Sequence, residues 1–192
     1  MVVGSSVDTP EWSSLPVPED DGAAAHLAGR KVPPMALRAT DGRVVDLSAL
    51  PGLTVVYAYP RTGTPGIDNP PGWDLIPGAR GCTPQACAFR DHFAELRGLG
   101  VAQLFGLSTQ ETAYQAEAAE RLHLPFVLLS DAGFALTDAL RLPTFETNGM
   151  RLLRRLTMIL RDGTVEKVFY PVFPPDQNAA AVMAWLSGQS RR

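Results

Sequence analysis

Two residues dominate the chemical content of this chain. Cys82 and Cys87 are its only thiols in 192 residues, five positions apart within GARGCTPQACAFRDHFAEL. Such a pair is a metal site, a redox couple or two inert core residues, and position helps to discriminate. Thr83 reads as the N-cap and Pro84 as a first-turn residue of a helix through PQACAFRDHFAELRGLG, which Gly98 and Gly100 end. Cys82 then stands where free backbone N–H groups and the helix dipole favour an anion, and the thiolate is the nucleophilic form. Cys87, beside Ala86, Ala88 and Phe89, is expected to be the more buried thiol and to stay protonated.

The spacing carries a second inference. Five residues of intact helix separate two Cα atoms by roughly 8–9 Å, whereas a disulfide needs less than about 7 Å. Joining the two cysteines therefore requires the first helical turn to unwind. That makes a poor structural staple and a plausible catalytic intermediate. A metal site is disfavoured. His92 continues the five-residue spacing, but ligands on one helix face recur every three or four residues, and there is no second cysteine pair.

The elements that must hold this helix are readable in outline. MALRATDGRVVDLSAL forms a hairpin about Asp41-Gly42, and LTVVYAY (53–59) is a buried central strand. Residues 60–81 hold five prolines and a similar density of glycine, so they form a loop longer than a compact domain usually carries without a functional reason. Beyond the cysteine helix, VAQLFGLS, PFVLLS, RLTMIL and VEKVFYPV read as strands, the last two joined by RDGT. TQETAYQAEAAERLHL, DAGFALTDALRL and NAAAVMAWLSG read as helices. This order implies an α/β domain with a mixed central sheet flanked by helices. Residues 1–31 read as an extended leader with a short helical turn near GAAAHLAG, and residues 32–192 as the domain.

Composition narrows the function classes. A net charge of −3 with 45% hydrophobic residues calls for neither nucleic acid nor a membrane surface. No stretch resembles a signal peptide or membrane span, so a cytoplasmic location is expected, where paired thiols are usually catalytic or metal-binding.

YPRTGTPG (59–66) and GCTPQACAFRD (81–91) together resemble the peroxiredoxins (AhpC/TSA superfamily). The match is to the PrxQ, or bacterioferritin-comigratory, branch with its Tyr-Pro-x-x-x-Thr-Pro-Gly-Cys-Thr-x-x-x-Cys-x-Phe-Arg-Asp signature on a thioredoxin-like fold. The order of elements agrees over roughly residues 32–187. The resemblance implies that Cys82 is the peroxidatic and Cys87 the resolving cysteine, bridged by an intramolecular disulfide after a Cys82 sulfenic acid. It implies that Pro60 and Thr64 bind substrate and that a late-strand arginine, Arg155 or the neighbouring Arg154, supports the sulfur. Hydrogen peroxide or an organic hydroperoxide would be the substrate and thioredoxin or glutaredoxin the reductant, in a monomer or homodimer, with no cofactor. Two other readings remain: a related enzyme acting on a specific metabolite, and a thiol redox sensor.

One departure stands out. The family places its threonine three residues before the reactive cysteine, whereas Thr64 and Cys82 lie eighteen apart, leaving fifteen extra residues, approximately 67–81. The insert is expected to loop out, because loop length is thermodynamically cheap, and to wall the site while Thr64 returns to it. Its prolines and its Trp73, Leu75 and Ile76 favour order. Such a loop should select among peroxides more than it changes the sulfur's reactivity.

Overall fold

The computed structural model describes residues 10–189. Among these described residues, nine strands and five α-helices follow in chain order: β1 (Leu37–Ala39), β2 (Val44–Val45), β3 (Leu53–Ala58), α1 (Cys82–Asp91), α2 (Phe93–Gly98), β4 (Val101–Ser108), α3 (Thr112–Arg121), β5 (Leu128–Ser130), α4 (Ala135–Leu140), β6 (Thr144–Thr147), β7 (Met150–Leu153), β8 (Leu156–Arg161), β9 (Thr164–Phe169) and α5 (Asn178–Gln189). Seven strands form one mixed sheet in the order β2-β1-β5-β4-β3-β8-β9, with β3, β4 and β5 parallel. This is the mixed α/β sheet expected from the order of elements, in the thioredoxin-like arrangement that the resemblance implies.

β3 lies inside the sheet because nearly every residue of LTVVYA is apolar and buried on both faces. Its alternation divides the core. Val55, Tyr57 and the following Tyr59 face the layer of α1, α2 and α5, whereas Val56 and Ala58 face α4 and the N-terminal segment. On β4, a Cβ at Gly106 would stand 2.8 Å from the Tyr57 hydroxyl and 2.5 Å from Leu128 Cδ2, so only glycine leaves room for that phenol.

Two local expectations are corrected. The residue that caps α1 is Gly81, at φ +107°, and not Thr83, which lies inside the first turn. That left-handed backbone suits glycine, and Pro84 fits there because first-turn N–H groups have no helical partner to lose. The helix is also interrupted at His92, whose Nδ1 pairs with the Glu95 carboxylate at 2.5 Å and separates α1 from α2. Of the expected leader, residues 1–9 lie outside the described residues, and residues 24–30 pack on the domain. Ala24 and Leu27 are buried in the core, and Gly29 and Arg30 exchange backbone hydrogen bonds with Val165 at 2.7 and 2.8 Å, covering the start of β9.

The β6–β7 hairpin turns at Asn148-Gly149 and stands apart from the main sheet. It gives the insert something to pack on: Trp73, Ala79 and Leu152 form a small buried cluster with Ile76, Phe145 and Met150 around it.

Candidate active site

Cys82 begins α1 because Gly81 turns the chain into the helix there, and Gln85 N–H donates to the Gly81 carbonyl at 3.0 Å as the first helical bond. Arg155 follows β7 and immediately precedes β8, on the strand antiparallel to β3, and reaches under the helix start. Its Nη2 donates to Cys82 Sγ at 3.2 Å. Arg155 is 3% exposed, and each of its three nitrogens donates. Nη1 donates to Gln85 Oε1 at 2.5 Å, Nε to the Gly78 carbonyl at 3.3 Å, and Nη2 also to the Ala79 and Arg80 carbonyls at 3.1 and 3.3 Å. A fixed cation with aligned donors stabilises negative charge on the sulfur and on an oxygen beside it.

Arg154, the neighbouring alternative, donates to the Thr144 carbonyl at 3.2 Å and does not meet the cysteine.

The insert therefore does more than wall the site. Gly78, Ala79 and Arg80 supply three of the acceptors that hold Arg155, so its C-terminal end belongs to the machinery that presents the arginine.

Both thiols are free and buried, Cys82 at 5% and Cys87 at 7% exposure. The expected difference in burial is absent; neighbours distinguish them instead. Cys82 opens onto a cleft of about 280 Å³ lined by Arg61, Thr64, Ile67, Trp73, Arg80 and Arg121 among others. Cys87 packs in the core with Phe89 and Tyr57, whose rings stack at 4.6 Å. Burial pushes the Cys87 thiol up from its ordinary value, with Arg90 opposing. Burial likewise raises Tyr57 well above the usual phenol range.

Thr64 returns to the cleft despite the fifteen-residue detour, but its hydroxyl donates to Tyr114 Oη at 2.7 Å and not to the sulfur. Pro60 is buried at the foot of the loop, next to Arg61, which lines the cleft. The turn before α3 and the end of α3 pin the loop: Gln110 Oε1 accepts from Thr62 N–H at 2.9 Å and Arg121 Nη2 donates to the Gly63 carbonyl at 3.1 Å. The N-terminal segment closes the far side. Pro10 lines the cleft, and Trp12 covers Gly81 so closely that a Cβ there would stand 2.8 Å from the indole. Trp12 Nε1 donates to Asp176 Oδ2 at 2.9 Å, and the ring meets Phe173 edge to face at 6.1 Å.

Gln85, Tyr114 and Arg121 were missed in the sequence. Gln85 alone left a signal, three residues after Cys82 on the same helix face; the others come from a distant helix.

A family model described as Redoxin matches residues 27–183. The chloroplastic peroxiredoxin Q of Oryza sativa subsp. japonica is 30% identical over 188 residues, covering 95% of this chain and 79% of the relative. That of Sedum lineare is 31% identical over 166 residues, covering 86% and 80%. Among solved structures, peroxidoxin BcpB from Mycobacterium tuberculosis superposes with a TM-score of 0.67 at 27% identity, covering 84% of this chain and 96% of that one. With the paired thiols, the arginine and the thioredoxin-like sheet in place, the chain belongs to the redoxin family, as a peroxiredoxin of the Q type and a thiol-dependent peroxidase.

Proposed function

We propose that Cys82 is the peroxidatic cysteine and Cys87 the resolving one. The observation that carries this is the Arg155 guanidinium 3.2 Å from Cys82 Sγ, at a helix start that opens on a cleft. The Cys82 thiolate attacks the terminal oxygen of a hydroperoxide ROOH; the S–O bond forms as O–O breaks, and RO⁻ takes up a proton to leave as ROH. Arg155 lies where it balances the charge passing from sulfur to oxygen. The Cys87 sulfur then attacks the sulfenic acid, an S–S bond forms, and the hydroxyl leaves with the thiol proton as water.

Because both cysteines lie on α1, the second step follows unwinding of the first turn, which also takes Cys87 out of the apolar surroundings that hold it protonated. A thioredoxin- or glutaredoxin-type dithiol gives two electrons and two protons to the disulfide, restoring both thiols. The cytoplasm supplies such reductants.

Intact-protein mass spectrometry after one equivalent of hydrogen peroxide tests the assignment, alongside turnover with thioredoxin, thioredoxin reductase and NADPH. Cys82→Ser should take up no oxygen and show no turnover. Cys87→Ser should gain one oxygen at Cys82 and stop. Oxygen appearing on Cys87, or turnover by Cys82→Ser, refutes these roles.

A further inference from the structure

Behind Arg155, away from the cleft, runs a row of buried polar side chains that touch neither substrate nor sulfur. Gln85 and Thr157 are 0% exposed and Asn178 is 3%. Because Gln85 Oε1 accepts from Arg155, the amide has one orientation, and its Nε2 donates to Asn178 Oδ1 at 2.9 Å. The same oxygen accepts from Thr157 Oγ1 at 2.6 Å. One asparagine oxygen thus ties α1, β8 and α5 together. Without it, a buried amide donor and a buried hydroxyl lose their shared acceptor.

The three elements differ in what the catalytic cycle asks of them. Gln85 lies between Cys82 and Cys87, in the turn that must unwind before the sulfurs can meet. Thr157 sits on β8, paired with β3 and β9, and Asn178 begins α5, which Ala179, Val182 and Leu186 bury in the core. Neither β8 nor α5 needs to move. Gln85 is therefore a mobile part held by a fixed one, and its release must break the bond to Asn178.

We propose that Asn178 is a positioning residue that sets the balance between the two chemical steps. It holds the first turn of α1 helical, with Gln85 steering Arg155 onto Cys82, and it opposes the unwinding that lets Cys87 reach the sulfenic acid. The proposal rests on Cys82 being peroxidatic and Cys87 resolving. It makes a signed statement: weakening the Asn178 contact slows oxidation of Cys82 and speeds disulfide formation.

The two rates separate in stopped-flow experiments on the full chain. Oxidation by hydrogen peroxide is read in a Cys87→Ser background, and disulfide formation with both cysteines present. Asn178→Ala should oxidise about tenfold more slowly, the effect of roughly one well-placed buried hydrogen bond. Its sulfenic acid should close to the disulfide faster than in the native chain, and less sulfinic acid should accumulate at high peroxide.

Asn178→Asp keeps an acceptor for both Gln85 and Thr157 and should restore most of the oxidation rate. Thr157→Val, which leaves the Gln85 bond intact, should shift both rates in the same directions but less, and it keeps the test open should Asn178→Ala fold poorly. Two rates that fall together, or neither moving, in the variants that fold would overturn the proposal and leave Asn178 with a purely structural part. Oxygen found on Cys87 in the native chain would overturn the cysteine roles themselves, and this proposal with them.

Discussion

Replacing Arg155 by alanine deletes five hydrogen bonds from a side chain that is 3% exposed, and they divide into two groups. One, from Nη2 to Cys82 Sγ, faces the reacting atom. Removing a preorganised donor of that kind costs about 2.7–4 kcal/mol of transition-state stabilisation, or roughly 10²–10³ in rate. The other four leave Gln85 Oε1 and the Gly78, Ala79 and Arg80 carbonyls short of a donor. Each buried orphan costs about 1–3 kcal/mol, but the space left behind adjoins the cleft and admits water, so a total of about 2–4 kcal/mol is expected. For a chain of this size that lowers Tm by roughly 5–15 °C. Arg155→Lys keeps the charge but loses the planar fork, so it cannot span sulfur, amide and carbonyls together, and a loss of about tenfold is expected. Arg154→Ala, two residues from β8 and bonded to Thr144, should stay within about twofold of native, as surface contacts of this kind contribute little. Stopped-flow oxidation by hydrogen peroxide in a Cys87→Ser background gives the rates, and urea unfolding gives the stabilities. Arg155→Ala oxidising within about fivefold of native would refute the role assigned to the guanidinium.

Two further outcomes are expected. The reduced protein should lose stability between about pH 9 and about pH 12, because folding raises Cys87 above its ordinary 9.0 and Tyr170 to about 12. Unfolded chains release those protons first, so the folded state is disfavoured as pH rises; urea midpoints that stay flat or climb across that window would contradict it. Trp73→Ala should remove the anchor between the insert and β7, at a cost of about 3 kcal/mol. It should raise kcat/KM for cumene hydroperoxide relative to hydrogen peroxide while lowering the absolute rate for both, since the carbonyls that hold Arg155 loosen; unchanged values for both substrates would remove the insert from the site.

The parts of this molecule that were legible in the sequence are those set by neighbours in the chain. The apolar run of β3, the Asp41-Gly42 and Asp162-Gly163 turns and a helix beginning beside the first cysteine all follow from local pattern. Arg155 was reachable only through the family resemblance, which implies an arginine on a late strand and left Arg154 beside it as the alternative. Gly81 was misread for a definite reason: side-chain capping rules favour Thr83, whereas the chain enters α1 through a left-handed glycine pressed between Pro175 and Trp12. The β6–β7 hairpin did carry a signal, Asn148-Gly149 between alternating residues, yet nothing local said that it would receive Trp73. Asn178, Tyr114 and Arg121 join the site from elements tens of residues away. No spacing rule connects them to Cys82, because sheet order and helix packing bring them together.

The indole of Trp12 leans on the peptide at the start of α1, which the proposed cycle sets in motion. With α1 intact, its ring lies against Gly81 and its N–H is held by Asp176. When the first turn unwinds, the ring loses a wall and meets water. Indole emission depends on that surrounding, so the leader gives the protein a natural optical gauge of its own thiol state. Trp73 lines the same cleft and Trp185 packs on the layer that holds both cysteines, so the part of the signal due to residue 12 is read with those two replaced by phenylalanine. Each turnover would be visible without a dye, as light from a segment that takes no part in the bond-making.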